Sequence, residues 1–208
     1  EQGQYEPEFL LTNISAQTKR VSMHGVRREL ITRQEFSLGI KGRKIYLPAD
    51  YTFETYNKYM QHECQLMRDR GIEYAVFGDI FLEDLKKYRE DKLAEVGLSG
   101  VFPLWKIPTT QLYKEFVSLG YKAIIVCVDE SKLGREFLGK TLSMDLLSQF
   151  PAGVDCCGEN GEFHTFCYEG PIYKAPIKFN VGETVYKTYA SPTEKKEMGF
   201  YFLDLLPE

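Results

Sequence analysis

Features that define several specialised protein classes are scarce or absent in this sequence of 208 residues. No apolar run approaches the roughly 20 residues that a membrane-spanning helix requires, and no secretory signal peptide is visible. The five cysteines are odd in number and sparse, which argues against a disulfide scaffold and favours a cytoplasmic location. The formal net charge of −4 argues against general nucleic-acid binding and against binding to anionic membranes.

The composition that is present is ordinary for a globular protein, with 43% apolar and 27% charged residues. A chain of this length can form one large α/β domain or two small ones around a buried core. It opens at Glu1 without a methionine and soon enters the apolar run Phe9-Leu10-Leu11. We therefore expect a piece of the protein to precede Glu1.

The first half of the chain alternates short apolar runs with amphipathic segments that end at glycines. Strands and helices are predicted in turn over residues 8–14, 25–38, 44–47, 52–70, 74–77 and 83–96. This rhythm predicts a parallel sheet with helices on both faces. Ligands of such sheets lie beyond the carboxyl ends of the strands.

The second half has a different pattern. A boundary near residue 98 divides the chain into predicted domains 1–97 and 98–208. A helix is predicted over 110–119, the strongest strand over 121–128 and a short helix over 142–150. After Pro151 the pattern indicates loops and short strands, rich in Gly, Pro and aromatic residues.

The densest group of polar residues lies between Gly153 and Phe166. Asn160-Gly161 is a strong turn signal because both residues tolerate positive φ. Strand alternation after the turn places Glu162, His164 and Phe166 on one face. A carboxylate and an imidazole on one face can hold a substrate amine, a water or a metal. The alternative is a tight hairpin with a surface His and Glu.

Two charged residues near the end of the third predicted strand are further candidates. Asp79 would lie where a bound nucleotide or Mg²⁺ is expected, or it would cap the helix that follows. Arg89 falls within the apolar stripe of that helix, so its guanidinium must be paired or must reach an anion. Asp79 and Glu90 are possible partners within the protein.

A fourth group is Ser22-Met23-His24-Gly25, just before a predicted helix. Backbone N–H groups at a helix start favour anions, so His24 could donate to phosphate. The simpler interpretation is that Ser22 or His24 caps the helix.

Taken together, these motifs resemble the diphthine–ammonia ligase family over nearly the whole chain, from about Leu10 to Pro176. The matching segments occur in the family's order. They are Ser22-Met23-His24-Gly25-Val26, Phe77-Gly78-Asp79-Ile80 with Tyr88-Arg89-Glu90, Phe102-Pro103-Leu104-Trp105, and Gly158-Glu159-Asn160-Gly161-Glu162-Phe163-His164-Thr165. The last segment is long and highly specific.

The resemblance implies an α/β fold with a Rossmann-like parallel sheet of the adenine nucleotide alpha hydrolase (PP-loop) type and a smaller C-terminal α+β domain. It implies that ATP, with Mg²⁺, adenylates a carboxylate, and that ammonia then displaces AMP. In archaeal and eukaryotic members the carboxylate is diphthine on translation elongation factor 2. The acyl substrate of this chain is otherwise unknown.

The resemblance also implies site residues, which fall into three groups. The catalytic candidates are Asp79, which would also bind the metal, Arg89, Glu90, Glu159, Glu162 and His164. The nucleotide-binding candidates are Leu11, Thr12, Asn13, Met23, His24 and Gly78. The substrate-binding candidates are Asn160, Gly161 and Thr165, in a pocket for substrate and ammonia.

One element of the family is missing from this sequence. The phosphate-binding loop of the family reads Ser-Gly-Gly-Lys-Asp-Ser, follows the first strand, and is expected upstream of Glu1. Two alternatives to an amide ligase follow from the residues. One is a nucleotide-binding protein without catalysis. The other is a metal-dependent hydrolase that uses Asp155, Glu159, Glu162 and His164.

Overall fold

The computed structural model describes residues 5–190 and 197–208, so the predicted start at Glu1 lies outside the described residues. Helices and strands alternate at first, and strands dominate later. The helices are α1 (Arg28–Leu38), α2 (Phe53–Asp69), α3 (Glu83–Ala94), α4 (Thr109–Ser118) and α5 (Met144–Leu147). The strands are β1 (Phe9–Ser15), β2 (Lys41–Leu47), β3 (Tyr74–Val76), β4 (Ser99–Val101), β5 (Lys122–Asp129), β6 (Phe163–Glu169), β7 (Phe179–Ala190) and β8 (Glu197–Pro207). No helix in these ranges is long and apolar enough to cross a bilayer.

The strands of the first half pair in parallel, as the βα rhythm predicts. Strand β1 pairs with β2 from Phe9↔Lys41 to Ser15↔Leu47. Strand β3 pairs with β4 from Tyr74↔Ser99 to Val76↔Val101. A mixed α/β fold with parallel strands is therefore confirmed, while its assignment to the PP-loop type stays a prediction.

The second half contains a four-stranded antiparallel sheet with the order β6-β5-β8-β7. The expectation of only short strands after Pro151 was wrong, because β7 and β8 form a long antiparallel pair from Phe179↔Pro207 to Ala190↔Glu197. Apolar side chains hold β8 in place, since Phe200 and Leu205 are 3% and 1% exposed. Burial of such side chains stabilises a strand that local turn signals do not reveal.

The main core connects the two halves of the chain. Leu30 of α1 packs in one apolar cluster with Ile124 and Val126 of β5, Phe166 of β6 and Leu205 of β8. Helix α1 precedes the predicted domain boundary and packs on the sheet that follows it. The boundary near residue 98 stays a prediction, and the residues around α1 are fixed by the antiparallel sheet.

Two predicted helices are shorter in the structure. Helix α1 begins at Arg28 instead of Gly25, because Gly25 has a φ of 72°, which a right-handed helix does not accept. A Cβ at Gly25 would also lie 2.8 Å from Cδ1 of Phe202. The segment predicted as a helix over 142–150 is helical only in α5, where Ser143 accepts a hydrogen bond from the N–H of Leu146.

Candidate functional site

Asp79 and Arg89 form an ion pair beyond the end of β3. Oδ2 of Asp79 lies 2.7 Å from Nε of Arg89, and the side chains are 12% and 28% exposed. The two atoms are not aligned for a hydrogen bond, and each is buried without another partner. The best-aligned contact is a long one, from Nη2 of Arg89 to Oδ1 of Asp79 at 3.4 Å. The pair therefore keeps hydrogen-bonding capacity for a third group.

The Arg89 guanidinium packs against aromatic rings. Its central carbon lies 4.4 Å from the ring centre of Phe77, which stacks on Phe102 at 5.4 Å. Lys86 lies over Phe102 and Trp105 at 5.2 and 4.9 Å. Two of the sequence motifs thus meet in one cation–aromatic stack, which limits the freedom of the guanidinium.

Two more buried polar atoms lacking a partner lie on the neighbouring elements. They are Oδ1 of Asn13 in β1 and Oγ of Ser22, and the N–H of Ser22 donates to the carbonyl of Asn13 at 3.1 Å. Tyr56 of α2 lies between Asn13 and Arg89. Burial raises the pKa of Tyr56, while the Arg89 charge and the Asn13 side chain act in the opposite direction.

Asn13 and Ser22 lie at or after the carboxyl end of β1, and Asp79 and Arg89 follow β3 in the chain; these four residues define the candidate cleft. Five buried side-chain polar atoms in the described residues lack a hydrogen-bond partner, and four of them belong to Asn13, Ser22, Asp79 and Arg89. Leaving a buried polar atom unpaired costs about 1–3 kcal/mol. Such a concentration of unpaired groups is typical of a ligand site, because a bound polar molecule can satisfy them together.

Neither simple capping interpretation holds for this cleft. Helix α1 has Arg27 at its N-cap and no side-chain cap, so neither Ser22 nor His24 caps it. Helix α3 has Leu82 at its N-cap and no side-chain cap, so Asp79 does not cap it. The intramolecular ion pair between Asp79 and Arg89, which the sequence left open, is present.

His24 and His164 come together although 140 residues separate them in the sequence. Their ring centres lie 4.3 Å apart, and Nδ1 of His24 lies 3.2 Å from the carbonyl oxygen of Ser22. Burial lowers the pKa of both histidines, and for His164 burial, His24 and Lys132 lower the pKa to about 3. Both imidazoles are therefore neutral near pH 7, and each can accept a hydrogen bond.

A cavity of about 200 Å³ adjoins His24 on the side of α1. Gln34 and Thr165 contribute polar groups to its wall, and Val26 and Phe166 contribute apolar ones. His24 thus lies between this cavity and Ser22 of the cleft.

Phe163 and Phe166 lie on opposite faces of β6, as the predicted alternation requires. Phe163 packs with Val128 in one apolar cluster, whereas Phe166 packs with Ile124 in another. The tight hairpin proposed as the alternative for Asn160-Gly161 was wrong, because β5 and β6 are joined by the long segment between Asp129 and Phe163. His164 and Glu162 are also not surface residues, and Glu162 is 2% exposed.

Glu162 acts within its own loop. Its carboxylate accepts hydrogen bonds at 3.0 Å from the backbone N–H groups of Asp155 and Asn160 and from the Asn160 side chain. Burial opposes ionisation of Glu162, but these hydrogen bonds together lower its pKa. Gly158 has a φ of 71°, and a Cβ there would meet the Phe163 carbonyl at 2.7 Å, so this turn requires glycine.

Glu159 extends from the same loop to the Asp79 segment. Its Oε1 accepts hydrogen bonds from the N–H groups of Ile80 at 2.7 Å and Phe81 at 3.4 Å. The structure therefore connects the two most distinctive motifs of the sequence through a single carboxylate.

The remaining candidates lie at varying distances from this centre. Glu90 is exposed and pairs with Lys86 one helical turn away, so it is directed away from Asp79. Met23 is 44% exposed and has a positive φ of 64°. Leu11 and Thr12 are half-buried within β1, Gly78 and Asn160 are exposed, and Gly161 and Thr165 are half-buried. The roles of all these residues stay predictions.

Sequence reasoning missed several residues that the structure brings to the site. Tyr56 contributes a phenol to the cleft, and Lys132 donates from Nζ to the Asn160 carbonyl at 2.7 Å. Asp129 is 1% exposed, with its Oδ2 lying 3.4 Å from Nζ of Lys132. Tyr56 lay in a helical stripe that predicts a core position, and only the tertiary structure reveals its second neighbour.

The hydrolase alternative requires a cluster of metal ligands. Across residues 5–190 and 197–208, no three or more His, Cys, Asp or Glu side chains are arranged to hold a metal ion. The carboxylates of Glu159 and Glu162 instead accept backbone hydrogen bonds.

Comparison with known proteins identifies relatives over both halves. Residues 108–197 match the family model described as the diphthamide synthase C-terminal domain. The chain is 26% identical over 159 residues to a Danio rerio protein named diphthine–ammonia ligase, a match that covers 70% of this chain and 60% of that protein. A Rattus norvegicus protein of the same name is 30% identical over 129 residues, covering 58% of this chain and 48% of that protein.

The chain is similar to proteins named diphthine–ammonia ligase. The resemblance inferred from the motifs is thereby confirmed. A Schizosaccharomyces pombe protein of the same name is 28% identical over 156 residues, which is 70% of this chain but 25% of that protein. The chain spans about half the length of the first two of these proteins.

Proposed function

We propose that the protein is an ATP-dependent amide ligase that adenylates a substrate carboxylate and transfers ammonia to it. The observation that carries this proposal is the set of buried polar atoms on Asn13, Ser22, Asp79 and Arg89 that lack a hydrogen bond, the last two being in ion-pair contact only. Nucleotides offer the complementary groups, since phosphate oxygens pair with guanidinium and the base and ribose pair with amide and hydroxyl groups. The similarity to proteins named diphthine–ammonia ligase supports the same assignment.

The fold required for this proposal is the PP-loop type of Rossmann-like sheet. The two parallel pairs, β1–β2 and β3–β4, support it because their carboxyl ends lead into the Ser22 and Asp79 segments. The phosphate-binding loop Ser-Gly-Gly-Lys-Asp-Ser would come from outside the described residues. We assign residues 1–97 to nucleotide binding and 98–208 to the substrate cleft, with α1 of the first part packed on the antiparallel sheet of the second.

In the proposed reaction, a substrate carboxylate oxygen attacks the α-phosphorus of ATP, and the bond to the β-phosphate breaks to release pyrophosphate. Arg89 would stabilise the negative charge that develops on the phosphates. The Asp79 carboxylate, which makes only poorly aligned contacts with Arg89, would hold Mg²⁺, and the ion would neutralise phosphate charge. Ammonia then attacks the acyl carbon, and AMP leaves with the electron pair of the broken C–O bond.

The paired histidines suit the second half of this reaction. Burial keeps His24 and His164 neutral, so either imidazole can accept a hydrogen bond from ammonia and orient it for attack. Ammonia would enter as the free base, and the proton released when the amide forms would pass to solvent. The 200 Å³ cavity beside His24 provides space for a small group next to that imidazole. The carboxylate substrate would be a protein-borne diphthine if the source is archaeal or eukaryotic. The reaction would take place in the cytoplasm.

The test is a product assay on the full-length protein. It is incubated with ATP, Mg²⁺, ammonium and elongation factor 2 that carries diphthine, and AMP, pyrophosphate and the amide are measured. The proposal expects AMP and pyrophosphate in equal amounts with an amide on the acceptor. ATP binding without AMP formation would contradict the ligase and indicate a nucleotide-binding protein without catalysis. Release of ADP and phosphate would also contradict it and would indicate an ATP hydrolase.

A further inference from the structure

The contact between Glu159 and the Asp79 segment joins two parts of the chain that lie 79 residues apart. Oε1 of Glu159 accepts from the N–H of Ile80 at 2.7 Å and from that of Phe81 at 3.4 Å. These are the first two backbone donors after Asp79. A carboxylate that accepts from backbone N–H groups forms short, charge-assisted hydrogen bonds.

Both backbone polar groups of Ile80 make hydrogen bonds, and its side chain is buried. Its N–H donates to Glu159, its carbonyl accepts from the N–H of Lys106 at 2.7 Å, and its side chain is 5% exposed. On the other side of Asp79, Gly78 has no atom within 4 Å of the position a Cβ would occupy. The Asp79 backbone is therefore held through Ile80 and is open towards Gly78.

Glu159 is itself held firmly by its own loop. Its N–H donates to Oδ2 of Asp155 at 2.9 Å, and Glu162 accepts from the N–H groups of Asp155 and Asn160. Lys132 adds a hydrogen bond from Nζ to the carbonyl of Asn160 at 2.7 Å. Both oxygens of Glu162 are occupied within residues 155–162, so this loop forms a rigid base for the Glu159 side chain.

We propose that Glu159 is a positioning residue for nucleotide binding, which acts through Ile80 to hold Asp79 opposite Arg89. Glu159 contacts no ATP or acyl group in this assignment, in contrast to the catalytic role that the family resemblance implied. This role accounts for the distinctive sequence of residues 158–162, because the loop must hold the Glu159 carboxylate at a fixed position relative to the Asp79 segment. The inference rests on the proposed function, since the nucleotide is the ligand that the positioned pair receives.

The first test measures the contact without any ligand. Amide hydrogen exchange in the full-length protein is compared between wild type, Glu159→Ala and Glu159→Gln. Loss of the acceptor should speed amide exchange at Ile80 at least about tenfold in Glu159→Ala, with a smaller increase at Phe81, whose hydrogen bond is long. Glu159→Gln keeps an amide oxygen as acceptor and should retain most of the protection. Unchanged exchange at both amides in Glu159→Ala would overturn the proposal.

The second test uses ATP with Mg²⁺ and a double-mutant cycle. Glu159→Ala should weaken ATP binding about tenfold in the wild-type background and less than about twofold in the Asp79→Ala background, because it acts through Asp79. Glu159→Gln should restore affinity to within about threefold. Equal losses in both backgrounds would overturn the positioning role and indicate direct contact or general damage.

A matched control is Glu169→Ala, which removes a carboxylate whose oxygen accepts from Lys122 at 2.9 Å on the far end of β6. It should leave both readouts at the wild-type level. If wild type bound no ATP, the proposed function would fail, while the exchange test would still decide whether Glu159 holds the Asp79 segment.

Discussion

Two Asp–Arg groups of similar burial behave in opposite ways in this molecule. Asp204 accepts hydrogen bonds from Arg27 Nε at 2.9 Å, Arg27 Nη2 at 2.7 Å and Arg20 Nη1 at 2.6 Å. Asp79 and Arg89 touch at 2.7 Å but leave Oδ2 and Nε without a hydrogen bond. The Asp204 and Asp79 side chains are 16% and 12% exposed, so burial does not distinguish the two groups.

Alignment is the difference. Nε and Nη2 of Arg27 approach Asp204 in the bidentate geometry that matches guanidinium to carboxylate, and Arg20 completes the group with a bond to the Gly25 carbonyl at 2.9 Å. Asp204 therefore stabilises the turn before α1 and has little capacity for a ligand. Asp79 and Arg89 are held near each other by separate supports, Glu159 through Ile80 and Phe77 through its ring, and they keep that capacity.

The largest expected effect is on nucleotide binding. Arg89→Ala should weaken ATP–Mg²⁺ binding to the full-length protein about 30-fold or more, because a charged contact to phosphate is lost. Lys87→Ala, on the same helix but paired with Asp91 at the surface, should change affinity by less than about twofold. Titration calorimetry measures both. Similar losses in the two variants would mean that the net charge of α3, and not the Asp79–Arg89 geometry, determines binding.

The second effect separates the two Asp residues by stability. Asp204→Ala should lower the free energy of unfolding by about 2 kcal/mol, because two part-buried guanidinium groups lose their acceptor. Asp79→Ala should cost less than about 1 kcal/mol, since its hydrogen bonds are poorly made. Urea unfolding followed by circular dichroism compares them. A larger loss for Asp79→Ala would remove the distinction between the stabilising group and the ligand site.

Acid should affect the Asp204 group specifically. The Arg27 and Arg20 hydrogen bonds hold the pKa of Asp204 far below its ordinary value. The unfolded chain thus binds a proton at higher pH than the folded chain does, so stability is full above about pH 4 and falls as pH decreases below it. Unfolding curves between pH 5 and 2.5 should fall less steeply for Asp204→Asn than for wild type. Parallel curves would contradict the depressed pKa.

The smallest effect concerns the histidine pair. In the folded protein the pKa of His164 is lowered to about 3, so His164 stays neutral in mildly acidic solution, whereas an unfolded histidine takes up a proton near pH 6.5. Stability should therefore fall as pH decreases below about 6.5, by about 1 kcal/mol between pH 6.5 and 5.5 for one such group. His164→Gln should flatten this slope, and His62→Gln, at an exposed position, should leave it unchanged. A steep slope that survives His164→Gln would show that other groups cause it.

Local patterns were sufficient to predict the elements that fold by themselves. Helix α2 has an apolar stripe, both α2 and α3 are followed by glycines, and both begin and end within a residue or two of the predicted positions. The alternation of Phe163 and Phe166 in β6 was predicted by strand geometry alone. The family resemblance rested on motif order and was confirmed by independent comparison.

Tertiary contacts determined what the sequence did not predict. The β7–β8 pair depends on Phe200 and Leu205 reaching a core built by β5 and α1. The start of α1 depends on Phe202, which lies against Gly25. The site shows the same limit, because Glu159 and Ile80 are 79 residues apart and no local signal brings them together. The motifs identified candidate site residues, whereas their contacts depend on the tertiary structure.

The central claim is that the Asp79–Arg89 cleft binds a nucleotide, and calorimetric titration of ATP with Mg²⁺ into the full-length protein tests it most directly. The account predicts micromolar affinity for wild type and an affinity at least about tenfold weaker for Asp79→Ala, which removes the carboxylate beside Arg89 and the proposed Mg²⁺ ligand. Equal affinity in the two proteins, or no binding of ATP or AMP by wild type, would contradict the claim.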